Sequence, residues 1–266
     1  MTGLARVRSP AVAGRFYPRD PVRLAATVDQ LLDAAGAPDG EPLAAGYLVP
    51  HAGYQFSGPT AAQAYARLRR HAGQVRQVVL IGPAHFVPVA GCVAPASPAW
   101  ATPLGELPVL DPAPLAGAGL TVADAPHVPE HSLEVQLPFL QRALGRAVPV
   151  LPVVVGTASP PAVAGWLAAA AGPGSVVLCS TDLSHYLDQP AAAARDARTA
   201  AAIEALDPDR IGPRDACGQH ALRGLLSWAR AGGLRPELLD LRTSADAAGD
   251  PTRVVGYAAF AFHHPT

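Results

Sequence analysis

The chain has 266 residues, half of them apolar, with 20 basic and 21 acidic side chains and a net charge of −1. That is enough chain to bury about three quarters of its unfolded surface as one globular unit, which excludes intrinsic disorder, and the lack of any basic block argues against nucleic acid or a membrane surface as partner. All 20 basic residues are arginine, and without lysine there is no Schiff-base or PLP chemistry, no Walker-type NTPase and no protein kinase.

In chain order, Pro21 to Ala35 reads as a helix, Gly46 to Val49 as a short buried strand and Thr60 to Arg70 as a second helix. Gln77 to Ile81 and Gly91 to Ala94 read as strands, and the proline- and glycine-rich stretch from Pro95 to Pro129 as loops with short strands. A helix from His131 to Leu144, a strand from Val148 to Val155, a helix from Pro160 to Ala171 and a strand from Ser175 to Cys179 follow. The remainder gives helices from Pro190 to Leu206 and His220 to Ala231, then strands from Pro236 to Leu241 and Val254 to Phe262. Strands too short and too β-branched for helices, alternating with amphipathic stretches, predict a single-domain α/β sandwich over residues 1–266 with a central mixed, largely parallel sheet.

Cys92, Cys179 and Cys217 contain no C-x-x-C pair, and the first residues show no basic-then-apolar leader, so free thiols and a cytoplasmic location are expected. No apolar run reaches the ~18 residues of a membrane span. Cys92 and Cys179 lie in apolar runs and read as small core hydrophobes. Cys217 falls at a polar loop-to-helix junction, where the helix N-terminus and Arg214 are expected to favour the thiolate.

The polar signal gathers at strand ends, where open α/β sheets bind their ligands. The run G-Y-L-V-P ends in His51, with Tyr54 close behind; Q-V-V-L-I-G-P-A ends in His85; S-V-V-L-C-S-T ends in Asp182, with His185 three residues later. If these strands are parallel neighbours, the groups converge; the alternative is that His51 and His85 cap strand-end carbonyls on a solvated rim. The stretch H-V-P-E-H-S-L-E carries His127, Glu130, His131 and Glu134 but no H-E-x-x-H, and Glu130 and His131 at the helix start suit either a role lining a cleft or a structural capping network. No G-x-S-x-G or G-x-G-x-x-G is present, and an Asp182–Glu130 glycosidase pair would leave the histidines without a role.

The strings P-A-V-A-G-R-F-Y-P (10–18), V-P-H-A-G-Y (49–54), G-P-A-H (82–85), E-H-S-L-E-V-Q-L-P-F-L (130–140), S-T-D-L-S-H (180–185) and C-G-Q-H (217–220), in this order over nearly the whole chain, resemble the Memo family. Its bacterial and archaeal members are labelled AmmeMemoRadiSam system protein B. The resemblance implies a fold similar to the class III extradiol (LigB-like) dioxygenases. It implies metal ligation by His51, His85 and Cys217, with His185 in the place of the acid/base histidine and Asp182 beside it; Tyr54, Glu130, His131 and His220 are expected as substrate-binding or supporting residues. Iron or copper is the implied cofactor, and an AMMECR1-like protein and a radical SAM enzyme are the implied partners. Where true dioxygenases have a carboxylate as third ligand, this chain offers a thiol; such a softer site favours copper, zinc or thiolate-bound iron and places catechol ring cleavage in doubt.

Two readings follow. In one, the protein is a metal-dependent redox protein or oxidoreductase whose His185 shuttles a proton, oriented by Asp182. In the other, the cleft is a non-catalytic module for a small-molecule or peptide ligand, with arginines and histidines reading a phosphate or carboxylate. A component of a radical-SAM-linked modification pathway is a third expectation. The A-G-R-F-Y-P segment has two readings too: Arg15 and Tyr17 reach the cleft, or they clamp the chain against the sheet.

Overall fold

Strands that are apolar on both faces need cover on both sides, and the chain provides it by alternating strands with helices. The structure, a computed structural model, describes residues 7–247 and 250–265. Its first half runs α1 (Pro21–Ala35), β1 (Gly46–Val49), α2 (Tyr54–Arg70), β2 (Gln77–Pro83), β3 (Cys92–Ala94), β4 (Ala99–Thr102), β5 (Gly105–Pro108) and β6 (Leu120–Val122). Its second half runs α3 (Leu137–Leu144), β7 (Val150–Val155), α4 (Pro160–Ala170), β8 (Ser175–Ser180), β9 (His185–Leu187), α5 (Gln189–Glu204), α6 (Gln219–Ala231), β10 (Arg235–Thr243) and β11 (Val254–His263).

The main sheet has the order β10-β11-β1-β8-β2-β7-β3-β6, and β9 adds to β11 beside this path. Its central strands β1, β8, β2 and β7 are mutually parallel, with antiparallel pairings on both flanks. The sheet is therefore mixed, with the expected parallel character concentrated at its centre. Period-two alternation splits the core into two layers: Val78, Leu80 and Leu178 face a cluster with α1, α2 and α3, whereas Val79, Ile81, Val177 and Cys179 face one with α4, α5 and α6. Cys92 and Cys179 are core residues in the second layer, as their apolar surroundings predict. Among the described residues, no helix is long and apolar enough to cross a membrane.

Two helices depart from the sequence reading. Helix α2 starts at Tyr54, six residues before Thr60, and keeps Pro59 inside it. Gly58 explains this, because a Cβ there would lie 2.8 Å from Leu31 of α1; close packing between α1 and α2 outweighs the hydrogen bond that proline forfeits. The helix expected from His131 begins only at Leu137, after a 3₁₀ turn at Glu134–Gln136, with Pro138 in its first turn where the missing N–H costs nothing. Glu130 and His131 thus sit on the connection ahead of the turn and are free to bend toward the sheet.

The N-terminal segment clamps the fold. Glu134, fully buried, accepts hydrogen bonds from Arg8 Nη1 (2.7 Å), the backbone N–H groups of Ala11 and Val12 (2.7 and 2.9 Å) and the Tyr17 hydroxyl (2.7 Å). Arg8 also donates from Nε to the His127 carbonyl and from Nη2 to the Glu130 carbonyl, both at 2.7 Å, and lies over the Trp100 ring. Tyr17 therefore has the clamping role, and the ion pair holds the loop that carries Glu130 and His131. Glu134→Ala should destabilise the protein by about 3–5 kcal/mol in chemical denaturation, because it leaves the Arg8 charge buried and unpaired. Tyr17→Phe, which removes one of four bonds, should cost about 1 kcal/mol in the same assay.

Candidate metal centre

Because β1, β8 and β2 are adjacent and parallel, the residues after them emerge at one end of the sheet. There His51, His85 and Cys217 each present a ligand atom, and the three atoms lie within 4.8 Å of one another. The distance from Cys217 Sγ to His51 Nε2 is 3.3 Å, and the two imidazole centroids are 5.2 Å apart with the rings edge to face.

The hydrogen-bond network assigns the tautomer of each ring. The Ser180 hydroxyl donates to the Ser132 carbonyl at 2.7 Å and accepts from Gln136 Nε2 at 2.9 Å. Gln136 is itself fixed in orientation, since its amide also donates to the Pro50 carbonyl and its Oε1 accepts from the Tyr65 hydroxyl. With its only proton used, Ser180 Oγ can only accept from His51 Nδ1 at 3.0 Å, so the His51 proton is on Nδ1 and the Nε2 lone pair faces Cys217. For His85 the acceptor is Glu130, whose Oε1 takes Nδ1–H at 2.8 Å and whose Oε2 takes the His85 backbone N–H at 2.7 Å. Burial acts to raise the Glu130 pKa, but the His85 donors and the Ser132 N–H outweigh it and hold the carboxyl at about 2, firmly ionised. Such a carboxylate behind an imidazole fixes the ring and raises its basicity as a ligand. Gly82 makes this approach possible: a Cβ there would lie 2.9 Å from Leu133 and 3.1 Å from Ser132 Oγ.

Charge on the His51 and His131 rings is suppressed. Burial, followed by the neighbouring imidazoles His85 and His131, pulls the His51 pKa well below the ordinary value. His131 stacks on His85 at 4.7 Å, against Phe16 on its other side, and burial brings it down to about 4. Burial, then the Asp182 carboxylate, pushes the Cys217 thiol up to about 12, contrary to the thiolate expected of a helix start. Helix α6 begins two residues later with Gly218 as its cap, and although the Gly218 N–H and the Thr181 hydroxyl favour the thiolate, they do not offset burial and the acidic neighbour. A cation in the site would reverse this order by favouring the thiolate directly.

Asp182 and His185 do not form the expected pair. Asp182 Oδ1 accepts the His51 backbone N–H at 2.7 Å, and burial pushes its carboxyl up to about 7. His185 Nδ1 instead donates to the Leu183 carbonyl at 2.8 Å, which leaves Nε2 bare toward a cleft of about 900 Å³ that also takes in His51, His85, His131, Asp182 and Cys217. Tyr54 is absent from the lining of this cleft; its hydroxyl donates to the Val135 carbonyl at 2.6 Å and ties α2 to the 3₁₀ turn. His220 lines a separate pocket of about 200 Å³ behind Cys217. Sequence reasoning gave no role to Ser180, Gln136 or Phe16, although each lies within one of the strings that carry the resemblance (180–185, 130–140 and 10–18).

A second group of potential ligands, His85, Glu130 and His131, overlaps the first, but Glu130 is already committed to His85. A third, Glu41, Glu237 and His263, lies at the opposite end of β11, where Arg67 pairs with Glu41 at 3.1 Å.

Comparison with known proteins places this geometry in context. The profile of a family described as Memo-like protein matches residues 8–261. A "MEMO1 family protein" of Sulfolobus acidocaldarius is 33% identical over 96% of this chain and 99% of its own length. Proteins of the same description from Methanococcoides burtonii and Thermotoga maritima are 36% and 34% identical, over 95% and 94% of this chain and 98% and 97% of their own.

In the metal-free protein near neutral pH, imidazole ¹⁵N shifts should identify both His51 and His85 as Nδ1–H tautomers. Ser180→Ala should release the His51 preference into a mixture while leaving His85 unchanged.

Proposed function

The chain belongs to the Memo-like protein family, and from that premise we propose that it is a metal-dependent oxidoreductase in which His51, His85 and Cys217 hold one transition metal ion, iron or copper, and His185 moves a proton. The observation that carries this reading is the set of uncommitted donors. Two imidazole Nε2 lone pairs, each forced by an internal acceptor behind the ring, and one sulfur stand within 4.8 Å of one another at the floor of an open cleft. Ser180 and Glu130 supply the outer support that ligating histidines characteristically have. Three protein ligands leave coordination positions open, as expected for a reactive site.

When bound, such a metal supplies one-electron redox chemistry and Lewis acidity at an open position. The chain's own residues would do the rest. His185, with Nδ1–H held by the Leu183 carbonyl, presents Nε2 to the cleft as a proton acceptor and donor. Phe16, packed on His131, and Phe56 add apolar wall to the cleft. Asp182 positions His51 through its backbone. The paired sulfur and nitrogen donors favour copper or thiolate-bound iron over a hard cation such as magnesium.

After anaerobic purification, elemental analysis should find about one equivalent of iron or copper per chain, and His51→Ala and Cys217→Ala should each lower the metal content at least tenfold. His185→Gln should retain the metal and slow metal-dependent oxygen consumption with ascorbate by about 10²-fold, the scale of a lost general acid–base group. Undiminished metal in both ligand variants would contradict the proposal. Ligand binding indifferent to the metal would favour the non-catalytic binding module instead.

A further inference from the structure

The cleft has a second chemistry at its outer end. Arg195 from α5, Arg214 from the loop before α6 and Arg253 just before β11 all line it, brought together from three distant segments. Among the described residues, neither Arg214 nor Arg253 has a carboxylate within ion-pair distance; Arg195 has Asp215 only at 3.7 Å, and its buried Nε donates to nothing. Asp250 also lines the cleft; its Oδ1 accepts from the Thr252 N–H and hydroxyl at 2.9 and 2.7 Å, and it is within ion-pair distance of none of the three arginines. Guanidinium groups that lack a close carboxylate partner hold an anion through charge-assisted bonds.

Tyr186 links the two ends. Its ring lies edge-on to His185 with centroids 5.6 Å apart, and Arg253 sits over its face at 4.4 Å. This placement depends on a left-handed backbone at Tyr186, φ 61°, accompanied by a register shift in the β9–β11 pairing. Bulges of this kind re-aim side chains beside active sites, and left-handed strain in a non-glycine residue persists where surrounding structure enforces it. Tyr186 is also largely exposed, 64%, so burial of its ring does not account for the conformation. Phe16, Phe56 and Tyr257 supply flat apolar walls between the ends.

We propose that Arg195, Arg214 and Arg253 form a carboxylate-binding subsite, and that the cleft takes a small planar carboxylate whose other end faces His51, His85 and Cys217. The orientation rests on the metal-centre reading; the anion subsite stands without it. A carboxylate fits better than a phosphate because phosphate sites draw on free backbone N–H groups. Of those near Arg214, the Asp215 N–H is taken by the Gly212 carbonyl, the Cys217 N–H by the Asp182 carbonyl and the Gly218 N–H by Thr181. Guanidinium forks are what remains, and they match a planar carboxylate in two parallel bonds.

Isothermal titration of the metal-free full chain with 4-hydroxybenzoate, phenol and phenyl phosphate tests this. Wild type should bind 4-hydroxybenzoate at least tenfold more tightly than phenol and more tightly than phenyl phosphate. Arg214→Gln and Arg253→Gln, both at exposed positions and therefore expected to fold, should each weaken 4-hydroxybenzoate at least fivefold and leave phenol unchanged. An arginine-dependent carboxylate preference upholds the subsite even if the metal-content experiment fails. No preference for the carboxylate over phenol, a preference indifferent to both variants, or tighter binding of phenyl phosphate would overturn it.

Discussion

The structure turns on where two protons reside. Imidazole can carry its proton on either nitrogen, and a ring that chose Nε2 would point a donor at the sulfur and block ligation. Here Ser180 and Glu130 remove the choice by accepting from Nδ1 of His51 and His85. Each acceptor is itself constrained: Ser180 by Ser132 and Gln136, Glu130 by three N–H donors around its carboxylate. The neutral His51–Ser180 bond contributes only about 1 kcal/mol to stability and the charge-assisted His85–Glu130 bond about 1.5–3 kcal/mol, so the network matters chiefly as a device for aiming lone pairs.

The aim depends on parts of the chain far from the cleft. Glu130 can reach His85 only if the loop after Pro129 is pulled toward the sheet. The pull comes from Arg8, which binds the His127 and Glu130 carbonyls while paired with Glu134. Gly82 leaves room for that loop, and Phe16, carried by the clamped N-terminal segment, closes against His131. Packing, ion pair and tautomer thus form one continuous chain of cause from residue 8 to the donor atoms.

Much of this was legible in the sequence. The runs ending in His51, His85 and Asp182 are parallel neighbours, and β1 and α1 have the bounds that their apolar patterns predict. Other features depend on tertiary contacts that no local pattern encodes. The start of α2 is decided by Gly58 against Leu31, β9 exists only because β11 offers it an edge, and the Cys217 thiol responds to burial and Asp182 more than to the helix that follows it. Asp182 and His185, three residues apart, looked like a pair; the strand end turns the carboxylate toward His51 and gives His185 a backbone carbonyl instead. The arginines of the outer cleft come from three segments with no shared motif.

X-ray absorption on protein loaded with one equivalent of iron or copper tests the arrangement most directly. The account predicts one sulfur scatterer at roughly 2.3 Å together with the multiple-scattering signature of two imidazoles, the distances expected of thiolate and histidine ligands. A first shell of oxygen and nitrogen alone, without sulfur, would contradict it.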